Sequence, residues 1–181
     1  MARLKIVNPS EASGKAKELL QAVQAKLKIT PNMTKALANS PAALEAYLAF
    51  NGALAGGLLD AKLREQIALA VAESNGCEYC LSAHTAIGRL VGLSEPDIAA
   101  GRDGYGSSAK ATAALKFAQE LVKRRGSVPS SSITALHDAG FSDGEIAEII
   151  ANVALNIFTN YFNIAGDVDI DFPRVSVHQP V

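Results

Sequence analysis

Residues 60–84 read DAKLREQIALAVAESNGCEYCLSAH, and this stretch contains both cysteines of the chain and one of its three histidines. Its first half has apolar residues at helical spacing up to Ser74, after which Asn75-Gly76 is a typical helix end. The second half has helical spacing again from Cys77 onward. We therefore expect two consecutive helices joined by a short turn, with the cysteines at the start of the second helix.

The rest of the chain has the same helical character. Alanine is abundant, and it has the highest intrinsic helix propensity because it loses no side-chain entropy in a helix. Further predicted helices span residues 11–28, 40–57, 109–125, 133–139 and 142–163, and another begins at Ser94. No segment predicts a sheet, so the sequence predicts an all-α fold.

Length and composition are those of one globular domain spanning residues 1–181, with 49% hydrophobic and 19% charged residues. The tail, residues 167–181, contains two prolines, and we expect it to be extended and to wrap a neighbour. A net charge of −1 without a basic block argues against nucleic-acid binding. No segment approaches the ~20 uncharged apolar residues of a membrane span. Residues 1–10 lack the apolar core of a signal peptide, so we expect a cytoplasmic protein.

Two helix starts resemble each other, since GLSEPDIA at residues 92–99 matches GFSDGEIA at residues 140–147. Each combines a glycine that ends the preceding helix, an apolar residue, a serine N-cap and an acid three residues later. The pattern is either a common way to start a helix, used twice, or the trace of an internal duplication of a helical unit.

The cysteines and the histidine suggest thiol redox chemistry. Cys77, Cys80 and His84 fall at i, i+3 and i+7 on one helix face, so the sulfurs can meet and Cys80 can touch the imidazole. The helix dipole favours a thiolate at Cys77, while His84 can accept the proton of Cys80. If the two helices form an antiparallel hairpin, Glu65 reaches the thiols or His84, orients the imidazole and stabilises its charged form.

Three alternatives compete for this cluster. A structural zinc site could use both cysteines, His84 and Glu65, but zinc usually takes a second closely spaced Cys/His pair, which the chain lacks. Covalent haem attachment needs histidine directly after the second cysteine, where this chain has Leu81. The cysteines could also be inert buried residues, with His84 filling the core. We favour a redox-active dithiol and expect neither a metal nor a cofactor.

The pattern across both helices resembles the carboxymuconolactone decarboxylase superfamily, and within it the alkyl hydroperoxidase D or peroxidase-related branch. The residues that carry the resemblance are Glu65, Ile67–Val71 and Cys77-x-x-Cys80-x-x-x-His84, within residues 60–100. Phe162-Asn163 and residues 169–173 resemble the carboxyl-terminal part of peroxidase-related members. The resemblance implies an all-helical single-domain bundle that forms a homo-oligomer, commonly a trimer or a hexamer.

The resemblance also implies roles for individual residues. Cys80 would attack the peroxide and Cys77 would resolve the product, while His84 and Glu65 would form a proton relay. Tyr79 stands where the best known alkyl hydroperoxidase D sequences have histidine. A phenol, with a pKa of ~10, cannot act as a base at neutral pH, although it can donate a hydrogen bond.

These features together predict a thiol-dependent hydroperoxide reductase that an external dithiol restores. A second hypothesis is a disulfide-relay adaptor that passes electrons from a dihydrolipoyl partner to a peroxiredoxin and has little peroxidase activity of its own. A third hypothesis is a non-catalytic oligomeric binding protein with buried thiols. Lactone decarboxylation is disfavoured, because the true decarboxylases of the superfamily lack this dithiol.

Overall fold

The computed structural model describes residues 2–178, and every regular element in this range is an α-helix. The helices are α1 (Gly14–Leu27), α2 (Asn32–Leu37), α3 (Pro41–Ala55), α4 (Ala61–Ser74), α5 (Glu78–Leu90), α6 (Glu95–Arg102), α7 (Ala109–Arg124), α8 (Ser130–Asp138) and α9 (Asp143–Gly166). The prediction of an all-α, single-domain bundle is confirmed. No helix within residues 2–178 combines the length and the apolar character needed to cross a bilayer.

Helix α4 lies at the centre of the bundle and contacts α5, α6, α7 and α9. All seven residues from Gln66 to Ala72 are buried, which explains why this segment is apolar on nearly every side. Leu69 and Ala72 pack into the part of the core that includes both cysteines. Ile67, by contrast, packs into the part formed with α7, α8 and α9. Helix α4 therefore provides a rigid support for the residues at its edge.

The predicted turn between α4 and α5 is confirmed. Asp60 is the N-cap residue of α4 and accepts a hydrogen bond from the backbone N–H of Leu63, at 2.9 Å. Gly76 adopts a φ of 69°, a conformation that costs glycine little, and Cys77 is the N-cap residue of α5. Helix α2 was not predicted, because six residues are too few to show helical periodicity. Helix α8 begins three residues earlier than expected.

The two similar helix starts have the same local structure. Ser94 with Asp97 and Ser142 with Glu145 each form a capping box, and the preceding glycines both have a φ of 86°. The helices that follow differ, since α6 has 8 residues and α9 has 24. The shared pattern is thus a helix-start motif, and duplication of a larger unit stays a hypothesis.

The tail lies against α4 and α5 of the same chain as far as residue 178. The backbone N–H of Val175 donates to Ser82 Oγ at 2.9 Å, and that of His178 donates to Glu73 Oε1 at 2.6 Å. Arg174 also forms an ion pair with Glu78. The partner of the described tail is therefore its own chain. The last three residues of the predicted extended tail, 179–181, lie outside the described residues.

Candidate active site

The two cysteines lie at the start of α5 and are joined by a disulfide, with their Cα atoms 5.3 Å apart. Cys77 caps the helix, and its sulfur accepts a hydrogen bond from the backbone N–H of Cys80 at 3.3 Å. Both residues are buried, with exposed fractions of 1% and 2%. The predicted approach of the two sulfurs is confirmed, and Cys77 lies at the helix N-terminus, where the helix dipole is positive.

Glu65 on α4 and His84 on α5 form a hydrogen-bonded pair, with 2.7 Å between Glu65 Oε2 and His84 Nδ1. Both side chains are mostly buried, with exposed fractions of 17% and 21%. Because an ionised carboxylate can only accept, the hydrogen lies on Nδ1 and leaves Nε2 of the neutral ring as an acceptor. Of the two predicted partners of Glu65, the imidazole is therefore the one that it contacts.

A small pocket of about 110 Å³ surrounds this pair. Its walls come from α3, α4, α5 and α9, and they include Tyr47, Asn51, Arg64, Glu65, His84, Asn152, Asn156 and Thr159. Burial, and then the negative charge of Glu65, raise the pKa of Tyr47 to about 12, so its phenol stays neutral at pH 7. The pocket thus combines a carboxylate, an imidazole and the basic residue Arg64 with neutral hydrogen-bonding groups.

A larger, open groove of about 510 Å³ reaches Cys77. Helices α5 and α9 and the tail form it, and its residues include Cys77, Glu78, Tyr79, Asn163, Ile164, Asp169, Phe172 and Arg174. Neither Cys80 nor His84 lines this groove. The two cysteines therefore have different surroundings, and Cys77 is the one that a molecule in the groove would meet first.

Within the described residues, Cys80 and His84 are not joined by the hydrogen bond that the sequence suggested. The sulfur of Cys80 instead accepts a hydrogen bond from Asn163 Nδ2, at 3.4 Å. In the disulfide state Cys80 carries no proton that it could share with the imidazole. Within the same residues, no group of three or more histidine, cysteine or acidic side chains is arranged to hold a metal ion.

The sequence reasoning did not assign Asn163 to the site. Four asparagines of α9 have buried side chains, namely Asn152, Asn156, Asn160 and Asn163. Their spacing of four, four and three residues puts them on one face of an otherwise apolar helix, and this spacing was the signal that could have revealed a polar stripe. The stripe contributes to the small pocket at one end and to the groove at the other.

Tyr79 serves to hold the tail. Its hydroxyl donates to Asp171 Oδ1 at 2.8 Å and accepts a hydrogen bond from the backbone N–H of Met33 at 3.1 Å. Burial strongly raises the pKa of Tyr79, so the phenol stays protonated. The expected ability of Tyr79 to donate a hydrogen bond is confirmed, and the acceptor is the tail.

The comparisons with known proteins agree with this fold. Residues 41–120 match the model of the carboxymuconolactone decarboxylase family. The chain belongs to the carboxymuconolactone decarboxylase/AhpD-like superfamily and has its AhpD-like fold. The crystal structure of an alkylhydroperoxidase AhpD core, a peroxidase-related protein from Ralstonia eutropha JMP134, is similar with a TM-score of 0.85 and 25% identity. That likeness covers 94% of this chain and 92% of the other.

Two further matches are limited, one in its sequence identity and the other in the length that it covers. The debrominase Bmp8, in complex with 2,3,4-tribromopyrrole, has the same fold with a TM-score of 0.78, at 20% identity over 94% of each chain. A protein from Haemophilus influenzae is 58% identical over 45 residues, which make up 24% of this chain and 40% of that protein. The chain therefore matches less than half the length of this curated relative.

Proposed function

We propose that the protein is a thiol-dependent hydroperoxide reductase whose redox pair is Cys77 and Cys80. One observation carries the proposal: the paired sulfurs lie at the N-terminus of α5, the helix that also carries the carboxylate-bound imidazole of His84. Low-pKa thiols occur at such helix N-termini and near imidazoles. The likeness to peroxidase-related proteins of the AhpD type supports the same chemistry.

The proposed reaction begins with the reduced protein. The Cys80 thiolate attacks the terminal oxygen of the hydroperoxide, so that an S–O bond forms, the O–O bond breaks and the alkoxide leaves. Protonated His84, held by Glu65, donates the proton that converts the alkoxide to the alcohol. The Cys77 thiol then displaces water from the Cys80 sulfenic acid and forms the disulfide. An external dithiol restores both thiols by exchange.

Peroxide consumption by single-cysteine variants tests these roles. With dihydrolipoamide as reductant, we expect Cys80→Ser to reduce consumption to the background rate. Cys77→Ser should still react once and leave a sulfenic acid that dimedone traps on Cys80. A Cys80→Ser protein that consumes peroxide at the parent rate would show that the assignment of the attacking cysteine is wrong.

The open groove at Cys77 favours a second candidate, the disulfide-relay adaptor. A groove of about 510 Å³ leaves room for a thiol carried by another molecule, such as a dihydrolipoyl group or a peroxiredoxin cysteine. The adaptor predicts slow peroxide turnover by the isolated protein and fast turnover once a peroxiredoxin is added. Failure of both reduced cysteines to react with a small alkylating reagent would instead support a non-catalytic binding protein.

We further propose that the protein acts in the cytoplasm as a homo-oligomer, a trimer or a hexamer. Large apolar side chains of α3 and α9 are exposed, including Phe50, Phe158 and Tyr161. Exposed apolar surface of this kind is typical of protein–protein contacts. A cytoplasmic thiol pool would keep the dithiol available for reduction.

A further inference from the structure

Asn163 contacts the proposed attacking sulfur without belonging to the motif that defines the site. Its side-chain nitrogen lies 3.4 Å from Cys80 Sγ and 3.3 Å from Met33 Sδ. The residue is 4% exposed, and its buried Oδ1 has no hydrogen-bond partner. A buried amide that donates only to sulfur and leaves its oxygen unsatisfied is a poor arrangement for stability alone.

The arrangement becomes favourable once Cys80 is ionised. Disulfide and thioether sulfurs are weak acceptors, whereas a thiolate accepts a charge-assisted hydrogen bond that is much stronger. Cys77 already has a donor in the backbone N–H of Cys80, but this donor points away from Cys80's own sulfur. Asn163 therefore supplies a hydrogen-bond donor to the sulfur of Cys80, as the first turn of α5 does to the sulfur of Cys77.

Acidic side chains near the dithiol oppose ionisation of its sulfurs. Glu78, Asp167 and Asp169 line the groove beside Cys77, and Arg174 in the same groove is bound to Glu78. In the adjoining pocket the Glu65 carboxylate on α4 faces the imidazole of His84, and Arg64 of the same helix carries a positive charge. Nearby negative charge opposes thiolate formation, and a fixed hydrogen-bond donor at the sulfur offsets this effect.

We propose that Asn163 is a further catalytic residue, whose side-chain amide stabilises the Cys80 thiolate and whose free Oδ1 accepts the hydrogen of the attacked hydroperoxide oxygen. This inference rests on the proposed function. Asn163 lines the groove that a hydroperoxide would enter, and the same side chain contacts the Cys80 sulfur. The amide moves no proton itself, and it acts by holding the nucleophile and the substrate in place.

The pH dependence of Cys80 alkylation tests the thiolate role without any peroxide, so its result is independent of whether the protein is a peroxidase. In a Cys77→Ser background, we expect Asn163→Ala to raise the pH midpoint of Cys80 alkylation by about one unit. Alkylation at neutral pH then becomes about tenfold slower. Asn163→Asp, which is isosteric but adds negative charge, should raise the midpoint further. The matched control is Asn160→Ala, which removes a buried amide one turn away and should leave the midpoint unchanged.

An unchanged midpoint in both Asn163 variants, or an equal shift in the Asn160 control, overturns the proposal. Circular dichroism identifies variants that fail to fold. If neither Asn163 variant folds, NMR of the Cys77→Ser protein tests the proposal instead, because this protein keeps Asn163. The side-chain NH₂ resonances of Asn163 should move with the same midpoint as alkylation, and resonances that do not respond to Cys80 ionisation overturn the proposal.

Discussion

The Glu65 carboxylate determines what His84 can do at the site. The 2.7 Å contact fixes the ring orientation and the tautomer, so that Nε2 is the atom free for proton transfer. The pair bridges α4 and α5, and burial of both side chains limits competition from water. At this scale the proposed chemistry depends on a few side chains that α4 and α5 hold in place.

Replacing this carboxylate by its neutral isostere isolates its effect. We expect Glu65→Gln to lower the kcat of peroxide reduction about a hundredfold, because the imidazolium that donates the proton loses its stabilising charge. Steady-state kinetics with dihydrolipoamide measure the effect. The matched control is His137→Gln on α8, which changes another histidine, bound to Phe141 O and Asp143, and should keep the parent rate. A Glu65→Gln enzyme as fast as the parent would exclude the relay.

The Tyr79 phenol and the Asp171 carboxylate together join the tail to the start of α2. Tyr79 binds the Met33 backbone and Asp171, and the other oxygen of Asp171 accepts the Asn32 N–H at 2.8 Å. The ring of Phe172 also packs edge-on against Tyr79, with centroids 5.8 Å apart. These contacts hold the tail beside the groove, so they set the shape of the entrance to Cys77.

Removal of the Tyr79 hydroxyl tests this link. Tyr79→Phe keeps the ring contact but leaves Asp171 Oδ1 and the Met33 N–H without their partner, and we expect it to cost about 1–3 kcal/mol of unfolding free energy. The tail should also become more sensitive to limited proteolysis. Tyr105→Phe, at a residue that is 54% exposed, is the control and should change stability by less than about 0.5 kcal/mol. Equal effects of the two substitutions would contradict the link.

The N-terminus of α9 gives the fold a pH-dependent contribution. Hydrogen bonds from the Ser142 backbone and then from Lys110 lower the pKa of Glu145 to about 2, from an ordinary value of 4.5. The folded state therefore binds this proton less tightly than the unfolded chain. The resulting stabilisation is present above pH 4.5 and is lost as the pH falls towards 2.

Urea unfolding at a series of pH values measures this contribution. The parent protein should lose more unfolding free energy between pH 4.5 and pH 2 than Glu145→Gln, because glutamine has no proton to take up. The same pH slope in both proteins would show that the capping carboxylate contributes no pH-dependent stability.

The whole molecule leaves much of α3 and α9 uncovered. Leu44 is the single buried residue among the 15 of α3, although this helix is strongly apolar. The outward side of α9 presents Ile150, Phe158, Tyr161 and Ile164, each at least 42% exposed. Large exposed apolar side chains that repeat along one helix are typical of an interface.

Light scattering after size exclusion tests the proposed oligomer. We expect the parent to be a trimer or a hexamer and Phe158→Glu to dissociate it, because a buried unpaired carboxylate is costly in an interface. Leu90→Glu is the control, since Leu90 is 86% exposed and lies at the end of α5. A monomeric parent would contradict the proposal, as would a Phe158→Glu protein of unchanged mass.

The sequence predicted those parts of the structure that depend on neighbours along the chain. The long helices, their serine and aspartate caps and the α4–α5 pair follow from local patterns, and the pair brings Glu65 to His84. The contacts of Cys80 with Asn163 and of Tyr79 with Asp171 join residues 83 and 92 positions apart. Helical periodicity identifies a buried face but not the helix or tail that covers it, so these contacts required the structure.

The most direct test of the account is stoichiometric oxidation of the reduced protein by an organic hydroperoxide. We predict that one equivalent converts both free thiols to the Cys77–Cys80 disulfide and yields one equivalent of alcohol, as measured by thiol titration and mass spectrometry. Thiols that remain reduced while the hydroperoxide persists would contradict the account.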